Sequence, residues 1–579
     1  MPMYKEAFEA RDDLVQYGSN ALLLYALELK FDLEDIHTVA SDALTDGSDD
    51  KKCDLIYVDA DDGIVIIAQC FVSADQSKKE APANKASDLN TGAGWLLTRE
   101  LEELPERIRP AAIQLRSSLT EGKVNTVHFW YVHNLPSSQN VQSELETVKR
   151  TAYASLTQLL GPGSTPNVSV LEVGSEQIEK WYQTLTTPIL VTDPQEVSVV
   201  GGYNIESDDW TAYVTAVPAR WLHRLFSRYR DNLFSANVRG YLGSRRSDAN
   251  INSGIKTTAS DDPAHFWVYN NGLTIVTHDF TYDENSCLLR VSGMSIVNGA
   301  QTTGAIGSLL QEPDESAMVP ARFVKCRSAE VVDKIIQYNN SQNQVEAPDF
   351  RSNDEVQRRL RQEFDHLPSV TYLGGRRGGY DDRIRRPANL LPSDTAGQAL
   401  AAFHGNPVVA YNEKSKIWVS DTLYSCFFSD RTTAKHILFA YSLLRAVEEK
   451  KRELSAQPEP SLTRTQTKAL QYFRNRGSTF LLASAIAASL ENLLDRAVPD
   501  TFALRFTSSP TPNEAILHWQ PIVNVAVAFV ERLTSAVERG LKSTEQVDRS
   551  IQEFVGFMEA TREANRGVYR AFGQLVSTN

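Results

Sequence analysis

Residues 294–308 read MSIVNGAQTTGAIGS, and this stretch decides how the middle of the chain folds. Its first four residues predict a short strand, NGA predicts a tight turn whose glycine can take a positive φ, and the remainder predicts a helix with a threonine at a capping position. A strand–turn–helix unit aims free backbone N–H groups and a helix dipole at one point, which suits an anion such as phosphate. Alternatively, Asn298 and Thr302 merely cap the helix.

Two further amide-rich turns lie nearby in the sequence. HFWVYNNGLTIVTHDF (265–280) has apolar or aromatic residues on both sides of an Asn-Asn-Gly segment, which is typical of a β-hairpin turn. A hairpin accounts for Asn271 and Gly272 but leaves Asn270 as an extra amide. The third segment, NNSQN (339–343), is predicted to end one helix before a second helix begins near Ser352, and a solvated loop would also explain its composition.

Composition limits the class of protein. A chain of 579 residues predicts two to four domains, and its net charge of −14 argues against a protein that coats nucleic acid generally, although a local basic groove remains compatible. The first residues lack the apolar core of a secretory signal, no stretch is predicted to span a bilayer, and the five cysteines show no C-x-x-C spacing. We therefore expect a cytoplasmic protein without a membrane partner.

The order of predicted elements gives an α/β multidomain fold. Strands interleaved with helices predict an α/β domain over residues 1–185, and the densest strand and turn signals predict a mixed α/β core over 186–395. Residues 396–579 contain amphipathic runs and are predicted to form a helical domain, whose apolar stripes favour core packing or an oligomer interface. Homo-oligomerisation and binding of a partner protein are therefore both open.

Four motifs in order resemble one known family. N-V-R-x-Y-x-G, F-W-x-x-N-N-G-L-T-I, I-V-N-G-x-Q-T and N-S-Q-N between residues 237 and 343 are similar to the pattern of the AIPR family, the abortive-infection phage-resistance proteins. The resemblance implies bacterial anti-phage defence, and it leaves a partner protein from the same defence system open. The amide-rich turns taken together predict one shared pocket for a nucleic acid or nucleotide. The predicted ligand-binding residues are Asn237, Arg239, Asn270, Asn271, Gly272, Asn298, Gly299, Gln301, Thr302, Asn340, Gln342 and Asn343.

A different resemblance concerns the N-terminal segment. Asp54 begins one predicted strand and Gln69 lies near the end of the next, fifteen positions later, which resembles the restriction-endonuclease-like PD-(D/E)xK fold in its Mrr-like Q-x-K variant. The resemblance implies that Asp54 and Gln69 are catalytic and bind Mg²⁺ for phosphodiester cleavage. Phe71 stands where the pattern has lysine, so Lys78, Lys79 or Lys85 would have to supply the ammonium. Alternatively, Asp54 is a turn carboxylate and Gln69 an edge-strand amide.

An arginine-rich loop adds a possible phosphate contact. YLGGRRGGYDDRIRRPANLLP (372–392) combines arginines with glycines and tyrosines, a composition that suits bidentate phosphate contact and base stacking. The predicted nucleic-acid or phosphate residues are Arg376, Arg377, Arg383, Arg385 and Arg386. Alternatively, acidic neighbours such as Glu355 and Glu363 pair with the arginines of this region as a solvated face.

These features leave three functions open. The first is a defence protein that recognises a nucleic acid or nucleotide and cleaves phosphodiesters with its N-terminal domain. The second is a non-catalytic sensor or binding module with a decayed nuclease domain, which Phe71 favours. The third is a nucleotide hydrolase at residues 298–302, suggested by a weaker likeness to the D-G-Q-[HQ]-R loop of ParB-like proteins, although Asn298 replaces its aspartate. Whether the chain is an enzyme stays open at this point.

Overall fold

The computed structural model has a mixed α/β architecture with a helical C-terminal region. It describes residues 3–578 apart from gaps at 32, 34, 46, 48, 76, 162, 187–188, 190, 236–245, 310, 327–334, 336–350, 352–353, 373–388 and 539. Within these residues, no helix is long and apolar enough to cross a membrane.

The N-terminal region is built on a four-stranded mixed sheet in the order β1–β2–β3–β4. β1 and β2 are antiparallel, whereas β2, β3 and β4 run parallel to one another. The strands are β1 Leu55–Asp59, β2 Ile64–Phe71, β3 Thr126–His133 and β4 Asn167–Val173. The helices are α1 Met3–Glu9, α2 Ala21–Phe31, α3 Ile36–Ala43, α4 Ala83–Ser87, α5 Leu89–Thr98, α6 Arg109–Thr120, α7 Gln139–Leu160 and α8 Ser175–Thr186.

Both faces of this sheet are covered by helices. Val65 and Ile67 of β2 pack on the face covered by α4 to α7, whereas Ile64 and Ile66 pack on the opposite face, against α1 to α3 and α8. Parallel strands buried on both faces require nearly continuous apolar sequence, which the run IVIIAQCF supplies. Asp54 and Gln69 belong by alternation to the face of α4 to α7.

The central region is a six-stranded sheet in the order β5–β9–β8–β10–β7–β6. Only β8 and β10 pair in parallel; the other neighbours are antiparallel. The strands are β5 Gln195–Ser198, β6 Gly202–Glu206, β7 Trp210–Pro218, β8 Leu273–Asp283, β9 Leu288–Asn298 and β10 Met318–Cys326. The helices of this region are α9 Ala219–Tyr229, α10 Arg246–Asp261, α11 Phe266–Tyr269 and α12 Ala300–Gly307.

The hairpin predicted at residues 270–272 is wrong. Phe266–Tyr269 forms a helical turn rather than a strand, and β8 pairs with β9 and β10. Gly272 has φ +82°, and a Cβ there would lie 2.6 Å from the carbonyl oxygen of Pro320. The glycine therefore permits β10 to approach the start of β8 closely, a requirement that depends on tertiary packing.

The C-terminal region is a helical assembly around one large hydrophobic core. Its helices are α13 Glu355–Phe364, α14 Ser393–Phe403, α15 Pro407–Asn412, α16 Lys416–Val419, α17 Asp421–Phe427, α18 Ala434–Ala456, α19 Arg464–Arg474, α20 Ser478–Ala488, α21 Leu490–Leu494, α22 Pro512–Ala526, α23 Thr534–Val537, α24 Thr544–Ala560 and α25 Arg566–Leu575. Four two-residue strands complete it: β11 Thr371–Tyr372 with β12 Leu390–Leu391, and β13 Arg505–Phe506 with β14 Val576–Ser577.

Polar contacts join the N-terminal region to the C-terminal helices. The guanidinium of Arg476 lies 3.0 Å from the carboxylate of Asp42 and donates to the carbonyl oxygen of Ile56 at 2.9 Å. Arg445 forms a buried ion pair with Asp35. Because such charges are stable only when paired and hydrogen-bonded, these contacts fix how the two regions dock.

Candidate functional site

The turn between β9 and α12 is held by glycine rather than by a side-chain cap. Gly299 is the N-cap residue with φ +96°, and it makes no side-chain capping bond. The expectation of a threonine at the cap is therefore wrong, because Thr302 and Thr303 already lie in the first turn of the helix. A Cβ on Gly299 would lie 2.2 Å from Cδ2 of Leu273. Only glycine fits both the left-handed backbone and this contact.

The amide of Asn270 joins two of the amide-rich turns. Its Nδ2 lies 3.2 Å from Oγ1 of Thr302, and its Oδ1 accepts a hydrogen bond from the backbone N–H of Gly272 at 2.9 Å. The hydroxyl of Thr302 therefore contacts the Asn-Asn-Gly turn from the first turn of α12. The structure brings together Asn270, Asn271, Gly272, Asn298, Gly299, Gln301 and Thr302 at the adjacent ends of β8 and β9.

Exposed aromatic side chains lie directly before this cluster. Trp267 is 51% exposed and Tyr269 is 67% exposed, although both belong to the short helix that leads into the Asn-Asn-Gly turn. Gln301 and Asn271 are exposed as well. The two aromatic residues were not among the predicted site residues, although Trp267 belongs to the F-W-x-x-N-N-G-L-T-I motif. Exposed rings beside amide groups can stack on bases and hydrogen-bond to their edges.

Several predicted site residues lie outside the described part of the chain. These are Asn237 and Arg239, Asn340, Gln342 and Asn343, and the loop arginines Arg376, Arg377, Arg383, Arg385 and Arg386. Helix α13 carries three described arginines, Arg358, Arg359 and Arg361. Arg359 lies 2.6 Å from Glu363 and also donates to backbone carbonyls at Ser429 and Thr432, while Arg358 lies 3.6 Å from Glu355. Arg358 and Arg359 therefore pair with acidic neighbours of the same helix.

A second candidate site lies at the β1–β2 pair. Asp54 directly precedes β1, and its Oδ2 accepts the backbone N–H of Cys70 at 2.6 Å. Its own N–H donates to the carbonyl oxygen of Ala68 at 2.9 Å. Because Leu55 is paired with Ala68, the register sets Asp54 opposite Gln69. Two residues that are fifteen positions apart in the sequence are therefore direct neighbours across the β1–β2 hairpin.

Gln69 carries a buried oxygen without a protein partner. The residue is 4% exposed, and its Oε1 has no hydrogen-bond partner in the described part of the structure. An unpartnered buried carbonyl is costly, so such an atom is a natural ligand for a cation. Neighbouring Tyr131 does not serve as a base there, because burial, with Cys70 adding to it, raises the pKa of its hydroxyl.

Phenylalanine rather than lysine stands two residues after Gln69. Phe71 packs against the core on the same face as Gln69. Lys85 lies 3.9 Å from the carboxylate of Asp88, which Lys52 also approaches at 4.0 Å. Lys78 and Lys79 are exposed. Of the lysines considered, Lys85 is the one on a helix that packs against β2.

Asp54 and Gln69 supply only some of the ligands that a divalent cation needs. Asp54 and Gln69 supply one carboxylate and one amide oxygen, which are ligand types that Mg²⁺ accepts. Across the described ranges, no group of three His, Cys, Asp or Glu side chains is placed to hold a metal ion. A cation here would therefore depend on backbone oxygens and water for its remaining ligands.

The fold and the turns define a mixed α/β protein with a cluster of amide side chains at a helix N-terminus. Residues 234–518 match the model of the AIPR protein family. The four motifs lie within the matched residues, so the match supports the resemblance to this family. No curated protein and no solved structure gives a significant match to the chain.

Proposed function

We propose that this chain is a cytoplasmic phage-defence protein that recognises a nucleic acid or nucleotide through the cluster of amide-rich turns. The family match is consistent with a role in abortive infection. The observation that carries recognition is the contact of Asn270 with Thr302, which sets two amide-rich turns beside exposed Trp267 and Tyr269. Amide groups read base edges, rings stack on bases, and the N-terminus of α12 favours a phosphate.

The recognition half is tested by binding and by protection. Labelled single-stranded DNA, single-stranded RNA and duplex DNA are titrated with the purified chain in a fluorescence anisotropy assay, and the same variants are plated against phage. We expect Asn298→Ala with Gln301→Ala, and separately Trp267→Ala with Tyr269→Ala, to lower affinity at least about tenfold and to reduce protection.

Tyr203 supplies the matched control. It is 60% exposed on β6, an edge strand that β10 and β7 separate from β8, so Tyr203→Ala removes an exposed ring without touching the turns. Equal binding by the wild type and both double variants, or an equal loss in Tyr203→Ala, would rule out recognition at the turns.

A second candidate function is metal-dependent phosphodiester cleavage at Asp54 and Gln69. The observation that favours it is the buried Gln69 oxygen without a partner, opposite Asp54. Asp54 and Gln69 would hold Mg²⁺, which when bound polarises a phosphodiester and lowers the pKa of a bound water. Phe71 offers no charge to a developing oxyanion, so any ammonium would have to come from Lys78, Lys79 or Lys85, and Lys85 would first have to separate from Asp88.

Phe71→Lys is the informative substitution for this second function. If the fold is a nuclease that has lost its lysine, the variant should cleave plasmid DNA or RNA in Mg²⁺ or Mn²⁺ more strongly than the wild type. Asp54→Ala should abolish that gain and also weaken Mn²⁺ binding measured by calorimetry. Asp75→Ala is the control, because Asp75 is an exposed carboxylate that bonds only Ser77 in its own turn.

Absence of cleavage in both the wild type and Phe71→Lys, together with Mn²⁺ binding that Asp54→Ala leaves unchanged, would remove the enzymatic proposal. The non-catalytic sensor would then remain as the function. A nucleotide hydrolase at residues 298–302 would instead release phosphate from ATP or GTP, and this release would be lost in Asn298→Ala with Gln301→Ala.

A further inference from the structure

A large cavity lies between the N-terminal helices and the C-terminal helices. Its volume is about 1090 Å³, and its walls come from α1, residues 10–20 and α3 on one side and from α18, α19 and α22 on the other. Small-molecule sites in proteins commonly have volumes of roughly 300–1,000 Å³. The cavity is therefore large enough for a nucleotide rather than for a single inorganic ion.

Most charges that line this cavity are already paired. Arg11 lies 2.7 Å from Asp13, Arg476 lies 3.0 Å from Asp42, and Arg445 forms an ion pair with Glu448. Burial alone would raise the pKa of Asp42, but the adjacent Arg476 lowers it overall. These carboxylates are therefore neutralised by protein cations and leave the centre of the cavity open to an anion.

Two cationic side chains of α18 differ from these paired charges. Lys451 and Arg452 line the cavity, and neither has an ion pair or a hydrogen-bonded side-chain partner in the portion of the chain that is described. Burial lowers the pKa of Lys451 to about 8, although Asp42 partly opposes the shift. Glu6 and Asp12 also line the cavity but are exposed to solvent, and the lining carboxylate of Glu449 accepts a hydrogen bond from Gln520 at 3.0 Å. An ammonium held in this setting without a direct ion pair is a binding group for an anion.

Aromatic side chains complete the wall. Tyr17 and Phe473 line the cavity from opposite regions of the chain, and Tyr17 is stacked on His37 at 5.8 Å between ring centroids. His37 is itself held by Asp13 at 3.0 Å, which fixes the imidazole at the wall. Flat apolar faces next to free cations suit a ligand with a planar ring and a phosphate.

We propose that the cavity between these regions binds a small phosphate-bearing ligand of nucleotide size, with Lys451 and Arg452 contacting the phosphate and an aromatic side chain covering the ring. The site is distinct from the amide-rich turns and from Asp54 and Gln69. Because both regions supply its walls, the bound ligand would strengthen their docking and stabilise the folded chain.

Binding of ATP and of inorganic pyrophosphate to the full chain tests this proposal by calorimetry and thermal unfolding. We expect ATP to bind at least about tenfold more tightly than pyrophosphate and to raise the unfolding midpoint by at least about 2 °C near saturation. Lys451→Met and Arg452→Ala should each weaken ATP binding at least about tenfold. Lys451→Met retains the length of the side chain, and exposed Arg452 offers a second variant if that one folds poorly.

Two controls locate the site. Lys435→Ala removes an exposed cation from the same helix outside the cavity and should leave ATP binding unchanged. Asn298→Ala with Gln301→Ala should also leave it unchanged, so failure of the cavity site and failure of recognition at the turns are separable. Absence of ATP binding, equal affinity for ATP and pyrophosphate, or binding that survives both cavity substitutions would overturn the proposal.

Discussion

The side-chain amide of Asn270 and the hydroxyl of Thr302, thirty-two positions apart, lie 3.2 Å from each other. The same amide group accepts the N–H of Gly272 at 2.9 Å, so one residue both shapes its own turn and contacts the neighbouring helix. Asn270 therefore serves as a bridge between two turns, and the geometry of the proposed recognition surface depends on it.

Thr302→Val tests this bridge with little change in side-chain shape. The substitution removes the hydroxyl and leaves the Asn270 amide short of one partner, so we expect a loss of about 1 kcal/mol in unfolding free energy. Nucleic-acid affinity should fall as the turns separate, and anisotropy titration beside chemical denaturation measures both effects. Ser308→Ala is a suitable control, since its hydroxyl bonds only within the end of the same helix. Unchanged affinity in Thr302→Val would show that the bridge has no part in recognition.

Gly299→Ala should destabilise the central sheet. The left-handed φ of +96° and the 2.2 Å approach of an added Cβ to Leu273 predict a cost of about 1–3 kcal/mol. Gly556→Ala in α24 is the matched case, because nothing lies within 4 Å of its Cβ position. There the same substitution should raise the free energy of unfolding by about 0.5–1 kcal/mol, since alanine favours a helix. Urea denaturation of the two variants should give opposite signs, and equal signs would contradict the assigned backbone geometry.

Arg445→Met should weaken the docking of the N-terminal region. Arg445 lies between Asp35 and Glu448, all three side chains are under a tenth exposed, and removal of the cation leaves two buried carboxylates. We expect a loss of about 3–5 kcal/mol in denaturant unfolding. Adding Asp35→Leu and Glu448→Leu should recover much of that loss, because no buried charge is then unpaired. If the triple variant is as unstable as Arg445→Met, the loss of stability comes from lost packing rather than from unpaired charge.

Acid should destabilise the C-terminal helices through two buried histidines. Nε2 of His404 lies 3.0 Å from Nε2 of His436, and Nδ1 of His436 lies 2.9 Å from the carbonyl oxygen of Leu504. Burial, with the neighbouring imidazole adding to it, lowers the pKa of His404 to about 3, and burial lowers that of His436 to about 4. Since unfolded histidine titrates near 6.5, the unfolded chain takes up protons first as the pH falls, and stability is lost from about pH 6.5 downward.

His404→Gln should make this loss less steep by about 1.4 kcal/mol per pH unit between pH 6 and 4, measured by urea denaturation across that range. His366→Gln serves as the control, because His366 is exposed on the surface. An unchanged slope in His404→Gln would mean that the pair is not held neutral in the folded chain.

Much of the fold follows from local sequence pattern. The nearly continuous apolar run at 124–135 forms Thr126–His133, and the segments 140–160 and 434–454, with apolar residues at helical spacing, form most of Gln139–Leu160 and Ala434–Ala456. These elements are long or strongly apolar, so local propensity and periodicity specify them. The four motifs likewise indicated the resemblance to the AIPR family, which the match over residues 234–518 supports.

Tertiary structure decided what local pattern leaves open. The sequence by itself determined that NGA (298–300) is a turn between strand and helix, and that Asp54 lies at the start of one strand and Gln69 near the end of the next. Only the tertiary structure decided that Gly272 permits the close approach of Pro320 rather than forming a hairpin turn. It also decided that Asn270 contacts Thr302. The cavity beside Lys451 depends on residues more than four hundred positions apart. Propensities act over a few neighbouring residues, whereas these contacts depend on long-range packing, which no short pattern encodes.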